Sequence, residues 1–182
     1  MEIIATEFKG LFVLQPKVLG DERGYFMESF SRRTLLHAGI DFNFIQDNQS
    51  SSRKGVLRGL HFQIAPYAQT KLVRVLSGSV LDVVVDLRRS EKTFGYHFSI
   101  ELSSENKKQV LVPKGFAHGF IALSDQAEVF YKCDEYYNKA SEGGIRYDDP
   151  ELRIDWRFDR NELLISEKDL ELPYLKNFNY AF

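Results

Sequence analysis

The sequence predicts an all-β protein, an antiparallel sandwich or barrel with only short helices. Three observations carry that expectation. Strand-like runs rich in β-branched and aromatic residues recur at roughly ten-residue spacing through the middle of the chain. Turn-forming clusters separate them, among them Ser77-Gly78-Ser79, Ser103-Ser104-Glu105-Asn106 and Pro113-Lys114-Gly115. Aromatic residues make up 14% of the 182 positions, an excess that suits pleated sheets better than helices.

From the N-terminus, two polar clusters, Asp21–Phe30 (DERGYFMESF) and Gln46–Ser50 (QDNQS), bound strand-like segments. Between them Ser31–Ala38 reads as a helix stopped by Gly39, a residue able to take the left-handed turn that ends helices. Val56–Gln63 (VLRGLHFQ) is strand-like, and Gly59 within it marks a place for a bulge. Lys71–Val75, Val80–Leu87, His97–Leu102, Gln109–Pro113, Gly119–Leu123 and Glu128–Asp134 follow as strands. Ser166–Leu170 pairs a hydroxyl with an acid three places on, as helix starts do. The tail beyond Pro173 is apolar and aromatic (Tyr174, Leu175, Phe178, Tyr180, Phe182). It is expected to pack on something, a partner subunit being one candidate. No repeat, low-complexity tract or linker interrupts the chain, which predicts a single domain over 1–182.

Composition narrows the function classes. The 24 basic and 26 acidic residues give a net charge of −2, which leaves no electrostatic footprint for nucleic acid or an anionic membrane. No apolar run approaches the roughly 20 residues of a membrane span. The start, MEIIATEFKG, lacks the basic-then-apolar layout of a signal peptide. A single cysteine, Cys133, excludes an intrachain disulfide and fits a reducing, cytoplasmic setting. Any negative ligand must be met by a local basic cluster.

The chemistry concentrates in VLRGLHFQ, read together with Lys71 and Tyr131. An imidazole, an ammonium and a phenol in one pocket are what proton transfer beside a carbonyl requires. An Arg among them suits a phosphorylated substrate, because its planar fork pairs with anionic oxygens. The expectation is an enzyme, and an epimerase. Each residue also has a plainer reading. Tyr131 shares strand parity with Val129 and Cys133, so its phenol points into the sandwich, where a tyrosine often does no more than satisfy its hydroxyl. His61 alternates with Leu60 and Phe62, as structural histidines do. Lys71 opens a strand, as solvated strand ends do. His118 lies in PKGFAHGF and is presented at the mouth of the barrel, whereas His37 and His97 read as ordinary. Strict alternation puts Arg58 and His61 on opposite faces, unless a bulge at Gly59 re-aims one of them. Asp169 caps a helix on one reading of SEKD; on the other it accepts the far N–H of His61 and fixes its tautomer. Arg23, Glu28, Gln46 and Asn48 are turn residues, or hydrogen-bond partners for a sugar or base.

A mononuclear metal site in such a barrel wants a His-x-His pair with a nearby Glu. The corresponding strand reads His61-Phe62-Gln63, so no metal is expected. A Gly-rich phosphate loop, a nucleophile elbow and a dinucleotide fingerprint are all missing.

VLRGLHFQ, QTKLVRV (Gln69–Val75), PKGFAHGF, EVFYKCDEYY (Glu128–Tyr137) and SEKD occur in order with DERGYFMES and FIQDNQS. Together they resemble the dTDP-4-dehydrorhamnose 3,5-epimerase family, from about Gly10 to Pro173. The resemblance implies a cupin-type double-stranded β-helix (jelly roll) with two or three short helices. It implies a metal-free, cofactor-independent homodimer that exchanges strands at its ends. The implied substrate is a dTDP-4-keto-6-deoxyhexose, inverted at carbons 3 and 5. His61 then looks like the general base, Asp169 its dyad partner, Tyr131 the general acid on the opposite ring face and Lys71 the lysine near the 4-keto oxygen. Arg23, Glu28, Gln46, Asn48, Arg58, His118, Glu142 and Lys168 fall where the family contacts substrate. Two rivals share these residues: an epimerase that inverts carbon 3 alone, and a non-catalytic sugar-nucleotide-binding module.

Overall fold

Between its turn-forming clusters the chain lies down as strands, because the intervening side chains either alternate or are apolar on both sides. The computed structural model describes residues 1–179 and 182. In chain order the elements begin β1 (Glu2–Ala5), β2 (Phe12–Gln15), β3 (Val18–Asp21), β4 (Gly24–Met27), α1 (Arg32–His37) and β5 (Gln46–Arg53). Next come β6 (Val56–Gln63), β7 (Lys71–Ser77), β8 (Ser79–Asp86), β9 (His97–Ser103), β10 (Gln109–Val112), β11 (Phe116–Ala122) and β12 (Gln126–Cys133). The last are β13 (Glu142–Gly144), β14 (Leu164–Ile165) and α2 (Glu167–Leu170). Short 3-10 turns lie at Lys139–Ser141, Arg160–Glu162 and Leu175–Asn177.

One antiparallel sheet runs β1-β2-β10-β7-β12-β5. The second runs β13-β6-β11-β8-β9, with β14 added parallel to β6. Their inner faces meet through Val73, Val75, Val110, Val112 and Val129 of the first sheet and Val80, Val84, Phe116, Phe120 and Ala122 of the second. This is the antiparallel sandwich the strand spacing predicts, and the jelly roll the resemblance implies. The expected strands of the middle region form close to their expected limits. The largest difference is β11, which starts at Phe116 rather than Gly119. Gly115, at φ +90°, completes the turn early, so Phe116, Ala117 and His118 join the ladder opposite Asp86, Val85 and Val84.

β8 is apolar on both parities because both of its faces are covered. Its outward Leu81, Val83 and Val85 pack with Leu57, Leu60, Phe62 and Ile121. Ile145, Tyr147, Leu152, Trp156, Leu175 and Phe178 of the C-terminal segment close over them. The aromatic tail ends here: Phe178 is buried, with its ring edge-on to Phe62 at 5.8 Å, and Phe182 lies 5.4 Å from the same ring. The tail therefore covers its own sheet, which corrects the candidate partner surface, because the outer face of β6 needs an apolar cover within the chain. Tyr180 lies outside the described residues.

Both expected helices form. Ser31 caps α1 by accepting from the Thr34 N–H, and Gly39 at φ +76° follows its end. Its Leu35 packs with Leu14, Leu72 and Leu111 on the outer face of the first sheet. The hairpin β3–β4 pairs only with itself and leaves Leu19, Tyr25 and Phe26 at 55%, 57% and 69% exposure.

Candidate active site

A cavity of about 410 Å³ opens between the two sheets. Ser50, Lys71 and Tyr131 reach it from β5, β7 and β12 of the first sheet. Arg58, His61, His118 and Phe120 reach it from β6 and β11 of the second, and Lys168 and Asp169 from α2. The imidazole of His61 and the phenol of Tyr131 thus belong to opposite walls of one space.

The second wall depends on a break in strand alternation. His61 pairs with His118, yet Arg58 pairs with Phe120, so three steps on β6 match two on β11. Gly59 occupies the extra step at φ +127°, a conformation that favours glycine. A Cβ there would lie 2.5 Å from the Gly119 Cα, so the two backbones touch closely. The bulge re-aims the strand, and Arg58 and His61 both line the cavity. Arg58 is steadied by donating from Nε to the Ser52 hydroxyl at 3.1 Å.

SEKD serves as both cap and dyad. Ser166 caps α2 by accepting from the Asp169 N–H at 3.2 Å, which leaves the Asp169 carboxylate free. One of its oxygens meets His61 Nε2 at 2.8 Å, and the other accepts the Gly59 N–H at 3.2 Å. Burial pushes the Asp169 carboxyl up, but the His61 hydrogen bond and charge, with Gly59 and Ser166, more than offset it and hold the group below its usual range. An ionised Asp169 accepts from Nε2–H, so a neutral His61 keeps its lone pair on Nδ1.

On the facing wall, Lys71 stands beside Cys133 in the β7–β12 ladder, and its Nζ lies 5.9 Å from the centre of the Tyr131 ring. Burial holds the Lys71 ammonium below the ordinary lysine range, while Cys133, Asp82 and Glu142 pull it back up. Burial also raises the Tyr131 phenol, helped by Cys133 and Glu142 and opposed by the Arg58 charge. At neutral pH the phenol therefore holds its proton. Burial likewise pushes the Cys133 thiol up to about 11, with Lys71 and Asn48 opposing.

The remaining residues of the resemblance divide into two groups. Asn48 is the cross-strand partner of Tyr131 and shares β5 parity with cavity-lining Ser50, and Gln46 continues that row. Gln46 donates to Asn48 at 3.0 Å, and Asn48 donates to the Cys133 sulfur at 3.6 Å. Glu142 accepts from Lys168 at 2.6 Å and from the Tyr137 hydroxyl at 2.9 Å, beside the cavity that Lys168 lines. Arg23 and Glu28 do not line the cavity within this chain. Arg23 is spent on Asp21 in the β3–β4 turn, with its Nε 3.2 Å from a carboxylate oxygen, and Glu28 is exposed just after β4. The plain reading overlooks Asp82, whose carboxylate meets His118 Nε2 at 2.7 Å. Its signal was in the sequence: an acid in the middle of VLDVVVDL, at the parity of inward-facing Val80 and Val84.

Among the described residues, no three His, Cys, Asp or Glu side chains converge as a metal-ligand set, and no helix is long and apolar enough to cross a membrane. Comparison with known proteins gives a consistent answer. The family model for dTDP-4-dehydrorhamnose 3,5-epimerase matches residues 5–177. A dTDP-4-dehydrorhamnose 3,5-epimerase of Shigella flexneri is 51% identical over 171 residues, 93% of each chain. The crystal structure of the enzyme of that name from Elizabethkingia anophelis superposes with a TM-score of 0.94 at 47% identity, over 99% of both chains. A dTDP-6-deoxy-D-glucose-3,5-epimerase from Legionella pneumophila, solved with dTDP-4-keto-L-rhamnose, gives 0.93 at 47% identity, over 98% of this chain and 94% of that one. With a matching fold, a cavity of that chemistry and these similarities along nearly its whole length, the chain belongs to the dTDP-4-dehydrorhamnose 3,5-epimerase family.

Proposed function

We propose that this protein epimerises carbons 3 and 5 of dTDP-4-dehydro-6-deoxy-D-glucose, giving dTDP-4-dehydro-L-rhamnose for dTDP-L-rhamnose synthesis. The observation that carries this reading is the approach of His61 and Tyr131 to one cavity from opposite sheets. A hexose lying between them offers one ring face to the imidazole and the other to the phenol.

The chemistry follows from the groups. A C–H bond at carbon 3 or 5 is acidic because its electrons can move into the neighbouring 4-keto group as an enolate. His61, oriented by Asp169, takes the proton on Nδ1. Lys71 puts positive charge where the enolate oxygen develops, in a site drier than bulk water. Tyr131 returns a proton from the other face, so the ketone re-forms with the carbon inverted. The proton on His61 leaves to solvent and the phenolate takes one back, restoring both groups. Each electron pair returns to the carbon it left, so the reaction calls for no cofactor. Arg58 and Lys168 hold the diphosphate, and that remote binding sets the sugar in register.

The same reading includes a homodimer. In it the β3–β4 hairpin crosses to a second copy, covers its own exposed Leu19, Tyr25 and Phe26, and delivers Arg23 and Glu28 to that copy's cavity. The exposed apolar hairpin and the absence of both residues from the cavity of their own chain support this arrangement. A cytoplasmic location fits the buried, free Cys133.

Proton NMR of the keto sugar nucleotide in heavy water, with the protein and a chelator, tests the proposal. Deuterium at both carbons is expected. Label at carbon 3 alone would make the protein a 3-epimerase, and binding without exchange would make it a sugar-nucleotide-binding module.

A further inference from the structure

We infer that Asp82 is a positioning residue of this site: it holds His118 so that Nδ1 alone meets the bound hexose, as acceptor for a sugar hydroxyl. The inference rests on the epimerase reading. Asp82 lies on β8, an interior strand of the second sheet, 1% exposed, between inward-facing Val80 and Val84. A carboxylate there is costly to bury unless it is paired. Its partner is His118 Nε2 at 2.7 Å. His118 in turn lines the cavity, directly across the ladder from His61. The second sheet therefore presents two imidazoles side by side, each fixed from behind by its own carboxylate. An ionised Asp82 accepts from Nε2–H, so a neutral His118 carries its lone pair on Nδ1, the nitrogen left for a ligand. The charge of Asp82 is also felt by Lys71 from the facing sheet.

The test compares wild type, Asp82→Asn, His118→Asn and the double variant. The readouts are deuterium uptake into the keto sugar, affinity for dTDP alone, and the nitrogen-15 spectrum of His118. An Asn amide can donate to Nε2 and set the wrong tautomer, so Asp82→Asn should slow uptake about tenfold or more, as loss of an orienting partner does. Affinity for dTDP, which lacks the hexose, should stay within about twofold, and the His118 nitrogen signals should change. Because Asp82 acts through His118, the double variant should be no slower than His118→Asn. Uptake by Asp82→Asn close to wild type overturns the inference, and so does a double variant slowed by the product of the single effects. Wild-type His118 with its proton on Nδ1 also overturns it, and that measurement needs no variant to fold. A wild type that exchanges no carbon-bound proton sinks the epimerase reading instead, while the His118 tautomer still decides the role of Asp82.

Discussion

His61 and His118 stand directly opposite each other on β6 and β11, and each gives its Nε2 to a different carboxylate, Asp169 or Asp82. Both rings are thereby turned with Nδ1 free. Across the cavity stand a half-buried ammonium and a phenol that keeps its proton. On the proposed mechanism the two walls differ in chemical task, one accepting protons and the other supplying a proton and positive charge. Predictions follow from that division.

Replacing His61 by Asn should abolish carbon–hydrogen exchange, a loss of about 10²–10⁴-fold for a general base. Tyr131→Phe should impair inversion more than ligand binding. Deuterium uptake, product analysis and dTDP titration read both variants. Unchanged exchange in the first would reassign the base, and full activity in the second would remove the phenol as acid.

Lys71 should set the alkaline limb of the rate profile. Its folded value lies below the ordinary lysine value of 10.5, so its charge is lost at a lower pH than an exposed lysine would lose it. Activity should therefore fall on the alkaline side before pH 10.5. Lys71→Arg, which stays charged, should move that limb upward even if the maximum rate drops. A limb that stays in place in the Arg variant would assign it to another group.

Asp169 should contribute to stability in a defined pH window. Its folded value is depressed below 3.8, so the contribution is complete above the unfolded value and fades as pH falls through the folded one. The stability gap between wild type and Asp169→Asn, measured by denaturant midpoints, should be wide at pH 7 and narrow progressively below pH 3.8. A constant gap would mean that the carboxylate charge contributes nothing.

Gly59→Ala should destabilise the fold by about 3 kcal/mol, through its positive φ and backbone overlap. The added Cβ would sit 2.5 Å from the Gly119 Cα and 2.9 Å from the His118 oxygen, and neither backbone can yield without moving β11. Thermal melts check this, and a melt equal to wild type would show that the bulge can relax.

Tyr25→Ser with Phe26→Ser should weaken self-association and lower activity together, because the exposed face of the hairpin is assigned to a second copy. Sedimentation at several concentrations, paired with the deuterium assay, decides it. A double variant that associates and turns over like wild type would place the hairpin elsewhere.

Much of the fold was legible because strand alternation and turn chemistry are local. Tyr131 shares parity with Val129 and Cys133, and it faces inward as that parity requires. Ser31 and Ser166 cap the two helices from their own neighbourhoods. The site was legible only in part. Period-two counting separates Arg58 from His61, and only the slip at Gly59 against β11 brings both to the cavity. The sequence separation of 108 between His61 and Asp169 is closed by β14 lying along β6, which delivers α2 to the imidazole. Asp82 showed itself as an acid in an apolar strand, but which imidazole it meets depends on how β8 aligns with β11. By itself the sequence determined which side the residues of an unbulged strand face, since that follows from backbone geometry over a few positions; β6, broken at Gly59, is the exception. Which facing residues meet was decided by register between distant strands, because a one-step slip exchanges every partner while leaving each local pattern intact.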